Sequence, residues 1–211
     1  MPKNKTDTKA ATSVQRRVPR QQRSRDRYET ILQTARELIA ERGNDGVSMR
    51  EIALAAEVPI ASVYQYFSDK NALLWTLFSS VVESLEKQWD EARESATSVQ
   101  ALDEAAMALF DAFVGHCDQD PAFAKLWLSV QANSVLAELD HAFNLRIAES
   151  YTAKIVAMDP AQDREAVWNR VLLMSTLSST ALQLAVQMPG NKDKILDQFR
   201  ALLVQSVASH H

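Results

Sequence analysis

Apolar residues return at helical spacing along almost the whole of this chain. Ile31, Leu32, Ala35, Leu38 and Ile39 fall at i, i+1, i+4, i+7 and i+8, one face of a first helix that Gly43 should end. Ser48-Met49-Arg50-Glu51 then reads as a capping box, in which serine hydroxyl and glutamate carboxylate each satisfy an orphan N–H at the start of a second helix. Ile52, Ala53 and Ala56 form its short inner face, and Val58-Pro59 breaks it, so a third helix starts near Pro59. Trp75 to about Ser95 continues a fourth helix, Thr97-x-x-Gln100 opens a fifth and Asp120-Pro121 a short sixth. A seventh runs through Leu136 to Met158, and Asp159-Pro160 restarts the chain into an eighth, carried by Val167, Val171, Met174, Leu177, Ala181 and Leu184 and ended by Pro189-Gly190. Ile195, Phe199, Leu202 and Leu203 mark a ninth. The expectation is an all-α fold of about nine helices; 4 Gly and 6 Pro in 211 residues are too few for the reversals of a strand-rich chain.

Composition narrows the class. With 46% apolar residues the chain can bury a substantial core, yet no run approaches the roughly 18 apolar residues of a membrane span and the N-terminus is polar, so a cytoplasmic protein without membrane contact is expected. Cys117 is the single cysteine and has no internal partner; His210 and His211 receive no role. The net charge of −4 conceals an asymmetry: Met1 to Trp75 holds 13 Lys/Arg against 9 Asp/Glu, Thr76 to His211 holds 10 against 18. Basic character peaks at Arg16, Arg17, Arg20, Arg23, Arg25 and Arg27, where large apolar residues are scarce, and residues 1–22 read as a disordered basic arm.

The third helix is the most informative element. With successive residues about 100° apart, Val63 and Phe67 face inward, Ala61 and Gln65 point directly away, and Ser62 and Tyr64 lie on the flanks. A short helix after a tight turn, with little bulk and no acid on its outer side, suits a DNA major groove.

The run Val47-Ser48-Met49-Arg50-Glu51-Ile52-Ala53, then Ala56-Glu57-Val58, then Ser62 to Leu74 with its Tyr-x-x-Phe-x-x-Lys-x-x-Leu exit, resembles the DNA-binding domain of the TetR-like family over Arg23 to Leu74. The resemblance implies a helix-turn-helix domain at 23–74 and a helical effector-binding and dimerisation domain at 75–211. Two departures stand out: Glu57 occupies a turn position where the family usually has Gly, and Pro59, where Ser or Thr is common, leaves the N–H groups of Ile60 and Ala61 for a DNA phosphate. By resemblance and helical wheel together, Ser48, Arg50, Tyr64, Tyr66 and Lys70 should meet phosphates, while Ala61, Ser62 and Gln65 read bases and Arg23, Arg25 and Arg27 join the basic arm in the minor groove. Ser48 alternatively only caps, and Tyr66 alternatively only packs.

The resemblance further implies that the last two helices pair with their copies in a homodimer, through Val171, Met174, Leu177, Ser178, Ala181, Leu184, Phe199 and Leu202; intramolecular core is the alternative. It also implies a ligand cavity among Phe78, Phe110, Phe113, Trp127, Tyr151 and Trp168, with His116, Gln131 and Asn133 as polar groups, although ordinary core packing explains any one aromatic as well. No phosphate loop, metal motif or Cys-x-x-Cys is present, and His116 and Cys117 are neighbours that diverge on a helix, so no cofactor, metal or catalysis is expected. The implied function is a sequence-specific transcriptional regulator, a repressor that a small apolar effector releases from a palindromic double-stranded operator by tilting the fourth helix. A non-specific architectural DNA-binding protein accounts for the charge split and helix-turn-helix alone, and a helical enzyme only for the aromatic second part.

Overall fold

The computed structural model describes residues 20–208, all of whose regular elements are helical. They are α1 (Arg20–Arg42), α2 (Met49–Ala55), α3 (Ile60–Tyr66), α4 (Lys70–Ser95), α5 (Val99–Gln119), α6 (Pro121–Leu128), α7 (Ser134–Met158), α8 (Arg164–Gln187) and α9 (Lys192–Ala208), with single 3-10 turns at Val130–Ala132 and Pro189–Asn191.

Most boundaries follow from side chains that satisfy the first free N–H groups of a helix. Ser48 and Glu51 close the expected capping box, Asp69 accepts from the Ala72 N–H, Asp120 from those of Ala122 and Phe123 with Pro121 at the first helical position, and Asn133 from those of Val135 and Leu136. Three expectations shift. Ser98, not Thr97, caps α5. Pro160 lies in a turn, and α8 opens after Asp163, which caps it. The helix α1 already starts at Arg20, so the last residues assigned to the basic arm, with Arg23, Arg25 and Arg27 after them, are helical; residues 1–19, with Arg16 and Arg17, lie outside the described ones.

Two of the helix ends show how the chain reverses. Gly43, at φ +77°, takes the left-handed conformation that ends α1. At the end of α2 Glu57 adopts φ 54° without glycine's freedom. Its N–H bonds to the Leu54 carbonyl at 3.2 Å and the Val58 N–H to that of Ala53 at 3.0 Å, the paired bonds of a Schellman motif. The turn geometry is thus retained, with a Cβ in a region that disfavours one.

One apolar core runs through the molecule. Ile31, Ala35 and Ile39 of α1 meet Ile52, Val63 and Phe67, and this cluster continues through Leu73, Leu77 and Phe78 of α4 to the aromatic residues of α5, α6 and α7. Phe78 stacks on Phe123 and Trp127 at 5.5 and 5.7 Å. Polar ties reinforce the junction: Arg36 of α1 pairs with Asp120 at 2.5 Å, Lys125 of α6 donates to the Glu41 carbonyl at 2.9 Å, and Asn133 donates to Asn71 at 3.2 Å. Arg200 binds Asp111 and Lys192 binds Asp118, fastening α9 to α5.

Replacing Glu57 by Gly removes the left-handed strain and keeps both turn bonds. The variant should be more stable by about 1 kcal/mol, a rise in Tm of about 2–4 °C by calorimetry.

Candidate DNA-reading surface and ligand cavity

Val63 and Phe67 anchor α3 in the core, and Ile60, Ala61, Tyr64 and Gln65 are exposed as the helical wheel requires; Tyr64 is 53% exposed. The wheel placed Ser62 on a flank, and that flank is covered: Ser62 is only 9% exposed, because a short side chain there does not reach past the surrounding residues. Arg50, Arg23, Arg25 and Arg27 are exposed on the openings of α2 and α1.

Three of the other expected contacts are already engaged inside the protein. The Ser48 hydroxyl donates to Glu51 Oε2 at 2.7 Å while accepting from the Glu51 N–H at 3.3 Å, so its proton is committed to the cap. The Tyr66 hydroxyl donates to the Ser24 carbonyl at 3.0 Å and the ring sits edge-on to Tyr28 at 5.8 Å, fastening the end of α3 to the start of α1. Lys70 donates to the Asn44 carbonyl at 2.5 Å, tying the entry of α4 to the α1–α2 loop. Glu51 is held below the usual carboxylate range, first by the Ser48 hydroxyl and then by the Ser48 N–H.

A cavity of about 110 Å³ lies among α5, α6, α7, α8 and α9. Of the expected ligand residues, Phe110, Phe113, Trp127 and Tyr151 line it. Phe78 does not: it lies behind Trp127, stacked on that ring at 5.7 Å with the planes 5° apart. His116 is edge-on to Phe123 at 6.3 Å and Trp168 is half-buried, both away from the lining. Asn133 caps α7, and the side chain of Gln131 lies outside the described ones. α4, the expected lever, contributes no residue to the wall but backs it through two stacks, Phe78 on Trp127 and Trp89 on Tyr151 at 6.1 Å.

The unexpected part of the wall is α8. Val171, Met174 and Ser178, expected in the dimer interface, face the cavity beside Ser175, Ser179 and Leu182. Phe199, from the same expected set, is buried against Phe110 at 4.9 Å, and Ala181 is half-buried. Leu177, Leu184 and Leu202 do face outward, joined by Leu173 at 59% exposure, which periodicity alone did not single out.

The polar groups of the wall fall into two sets. Ser179 donates to Asp140 Oδ1 at 2.9 Å, and Asn144 donates to the same oxygen at 3.2 Å. Burial pushes the Asp140 carboxyl above its ordinary range. Tyr151 donates to Asp103, and its phenol is pushed upward mainly by burial. Cys117 is also buried, which raises its thiol to about 12 and leaves it a neutral, unreactive group.

The sequence model for bacterial regulatory proteins of the tetR family matches residues 31–75, and that for the tetracyclin repressor-like C-terminal domain matches residues 100–210. The chain belongs to the TetR family. It is therefore a DNA-binding transcriptional regulator. No curated protein matches the sequence. Among solved structures, a TetR-family transcriptional regulator from Streptomyces coelicolor is similar at 24% identity and TM-score 0.63, covering 87% of this chain and 98% of its own. A TetR-family regulator from Syntrophomonas wolfei aligns at 16% identity and TM-score 0.70 over 87% and 96%. FadR from Bacillus subtilis, solved in complex with stearoyl-CoA, aligns at 19% identity and TM-score 0.64 over 87% and 100%. These likenesses establish the TetR fold.

The capping box should make α2 acid-sensitive in a defined direction. Because the Glu51 carboxyl titrates lower folded than unfolded, its contribution is present above the unfolded value near 4.5 and is lost as the pH falls through the lowered folded value. Glu51→Ala should melt below the wild type at pH 7, and the gap in Tm should close as both are taken well below pH 4.5.

Proposed function

We propose that this TetR-family regulator is a cytoplasmic repressor, a homodimer that grips a palindromic operator and lets go when a small, mostly apolar molecule enters the cavity among α5 to α9. The observation that carries the reading is the tie between cavity and DNA-binding helices. Trp127 lines the cavity from α6, and Asp120 at the head of that helix pairs with Arg36 of α1 at 2.5 Å. A ligand that displaces Trp127 moves α6, and α6 carries α1 and the α2–α3 unit with it. The ligand acts only through its differential affinity for the two arrangements, and a coupling of about 1–3 kcal/mol weakens DNA binding roughly 5- to 150-fold.

On the DNA side, Gln65 and Ala61 at the crest of α3 read base edges, Gln65 as a bidentate partner for adenine and Ala61 as a contact for a thymine methyl. Tyr64 and Arg50 meet the phosphates, and Arg23, Arg25 and Arg27 bring positive charge from the first turns of α1. Tyr66, Lys70 and Ser48 act by holding α1, α2, α3 and α4 in register. Selection of bound sequences from a random DNA pool tests this: a palindrome is expected that recurs upstream of the protein's own gene, and binding without any shared motif overturns it. Gln65→Ala should relax one base pair per half-site and leave non-specific affinity unchanged.

For the dimer, Leu173, Leu177, Leu184 and Leu202 form an outward apolar stripe, and Val171 to Asn191 contains no charged residue. Leu177→Glu with Leu184→Glu should give monomers by sedimentation that have lost operator binding. A wild-type protein that is monomeric at full operator affinity would falsify the dimer reading.

The route through α6 is tested at Arg36. Arg36→Ala leaves the cavity intact, so a compound found by tryptophan fluorescence should bind the variant as it binds the wild type. Its effect on operator affinity should shrink towards unity; an undiminished effect assigns the signal instead to α4, through the Trp127–Phe78 and Tyr151–Trp89 stacks.

A further inference from the structure

Apart from the guanidinium of Arg170, the polar side chains of the cavity share a direction. Ser175 donates its hydroxyl to the Leu172 carbonyl at 3.1 Å and Ser178 to that of Met174 at 2.9 Å. Ser179 donates to Asp140 and Tyr151 to Asp103. The Asn144 amide donates to Asp140 at 3.2 Å and to the Ser179 oxygen at 3.5 Å. Every side-chain hydroxyl among the lining residues is thus a donor into the protein, and what those groups have left is lone pairs. The Trp127 indole N–H has no partner, but less than 1 Å² of it is open, so it does not reach the free space.

Charge points the same way. Arg170 is the one lysine or arginine in the lining and shares it with Asp103, while Asp140 stands directly behind Ser179 and Asn144 at 7% exposure. The groups acting on Asp140 are Ser179, Asn144 and, through its charge, His141. A carboxylate at 7% exposure is costly to charge, and a cation brought alongside on the cavity side offsets part of that cost.

We infer that the ligand of this cavity is an apolar amine, a ring-sized hydrocarbon body whose ammonium donates to the Asn144 carbonyl and the Ser179 oxygen beside Asp140. The inference rests on the reading of the cavity as an effector site. Size agrees: the space of about 110 Å³ is close to the roughly 150 Å³ of an engineered cavity that takes up benzene. Turning the Ser179 hydroxyl towards a ligand instead would forfeit its bond to the carboxylate, so a hydrogen-bond acceptor on the ligand gains nothing from that group. An acyl-CoA, a polyanion, meets a wall of lone pairs with one arginine.

The test is a matched series titrated into the full-length protein by tryptophan fluorescence and calorimetry: 2-phenylethylamine, 2-phenylethanol, propylbenzene, 3-phenylpropionate and stearoyl-CoA. The amine should bind roughly 10-fold or more tightly than propylbenzene and the alcohol roughly 3- to 10-fold, with both anions weakest. Asp140→Asn keeps the shape and removes the charge, so the advantage of the amine should fall to that of the alcohol while propylbenzene binds unchanged. If that variant does not fold, Ser179→Ala and the wild-type order decide. Equal or tighter binding of propylbenzene, phenylpropionate or stearoyl-CoA overturns the inference, as does binding of none of the five. The effector reading fails separately, on a bound compound that leaves operator affinity unchanged.

Discussion

The carboxylate of Asp120 is shared between two tasks that the rest of the molecule depends on. One oxygen accepts the N–H groups of Ala122 and Phe123 at 3.0 and 3.2 Å and so starts α6; the other holds the Arg36 guanidinium of α1 at 2.5 Å. Because Pro121 supplies no N–H and presets its own φ, the helix begins at that point and nowhere else. The start of α6 is therefore fixed to the DNA-binding helices, while its later residues, Phe123 and Trp127, are fixed by stacking on Phe78. This short helix is held at one end by charge and along its length by aromatic contact.

What the sequence disclosed and what it concealed divide along physical lines. Helix starts and stops were legible because they rest on local chemistry: the Ser48–Glu51 box, Gly43, Asp120-Pro121 and Pro189-Gly190 act over three or four residues. Even there neighbours compete, and Ser98 rather than Thr97 caps α5. The recognition helix was legible from its wheel, apart from Ser62, whose burial depends on what lies over its flank. The cavity was only half legible. Helical spacing identifies an apolar face but not whether that face meets core, empty space or a second chain, since all three favour the same residues. Phe78 and Phe113 look alike in sequence, and only the packing puts one behind the wall and the other in it.

The same ambiguity was sharpest on α8. Its serines suggested a surface that lets another helix approach closely, but Ser175, Ser178 and Ser179 turn to the cavity and supply three of the four hydroxyls in its lining. The outward side is made of Leu173, Leu177 and Leu184 instead. One helix therefore separates the ligand space from the face on which the dimer is proposed to form, with a single thickness of backbone between them.

The absence of charge from Val171 to Asn191 carries a consequence for life among related chains. Charged residues at an interface reject wrong partners, because a mismatched pair leaves like charges facing or a buried ion alone. A face of leucines and threonines has no such filter and discriminates by fit alone. Were the proposed dimer to form on this face in a cell that makes several regulators of this architecture, a relative of similar contour would fit it too, and the mixed dimer would read two different half-sites.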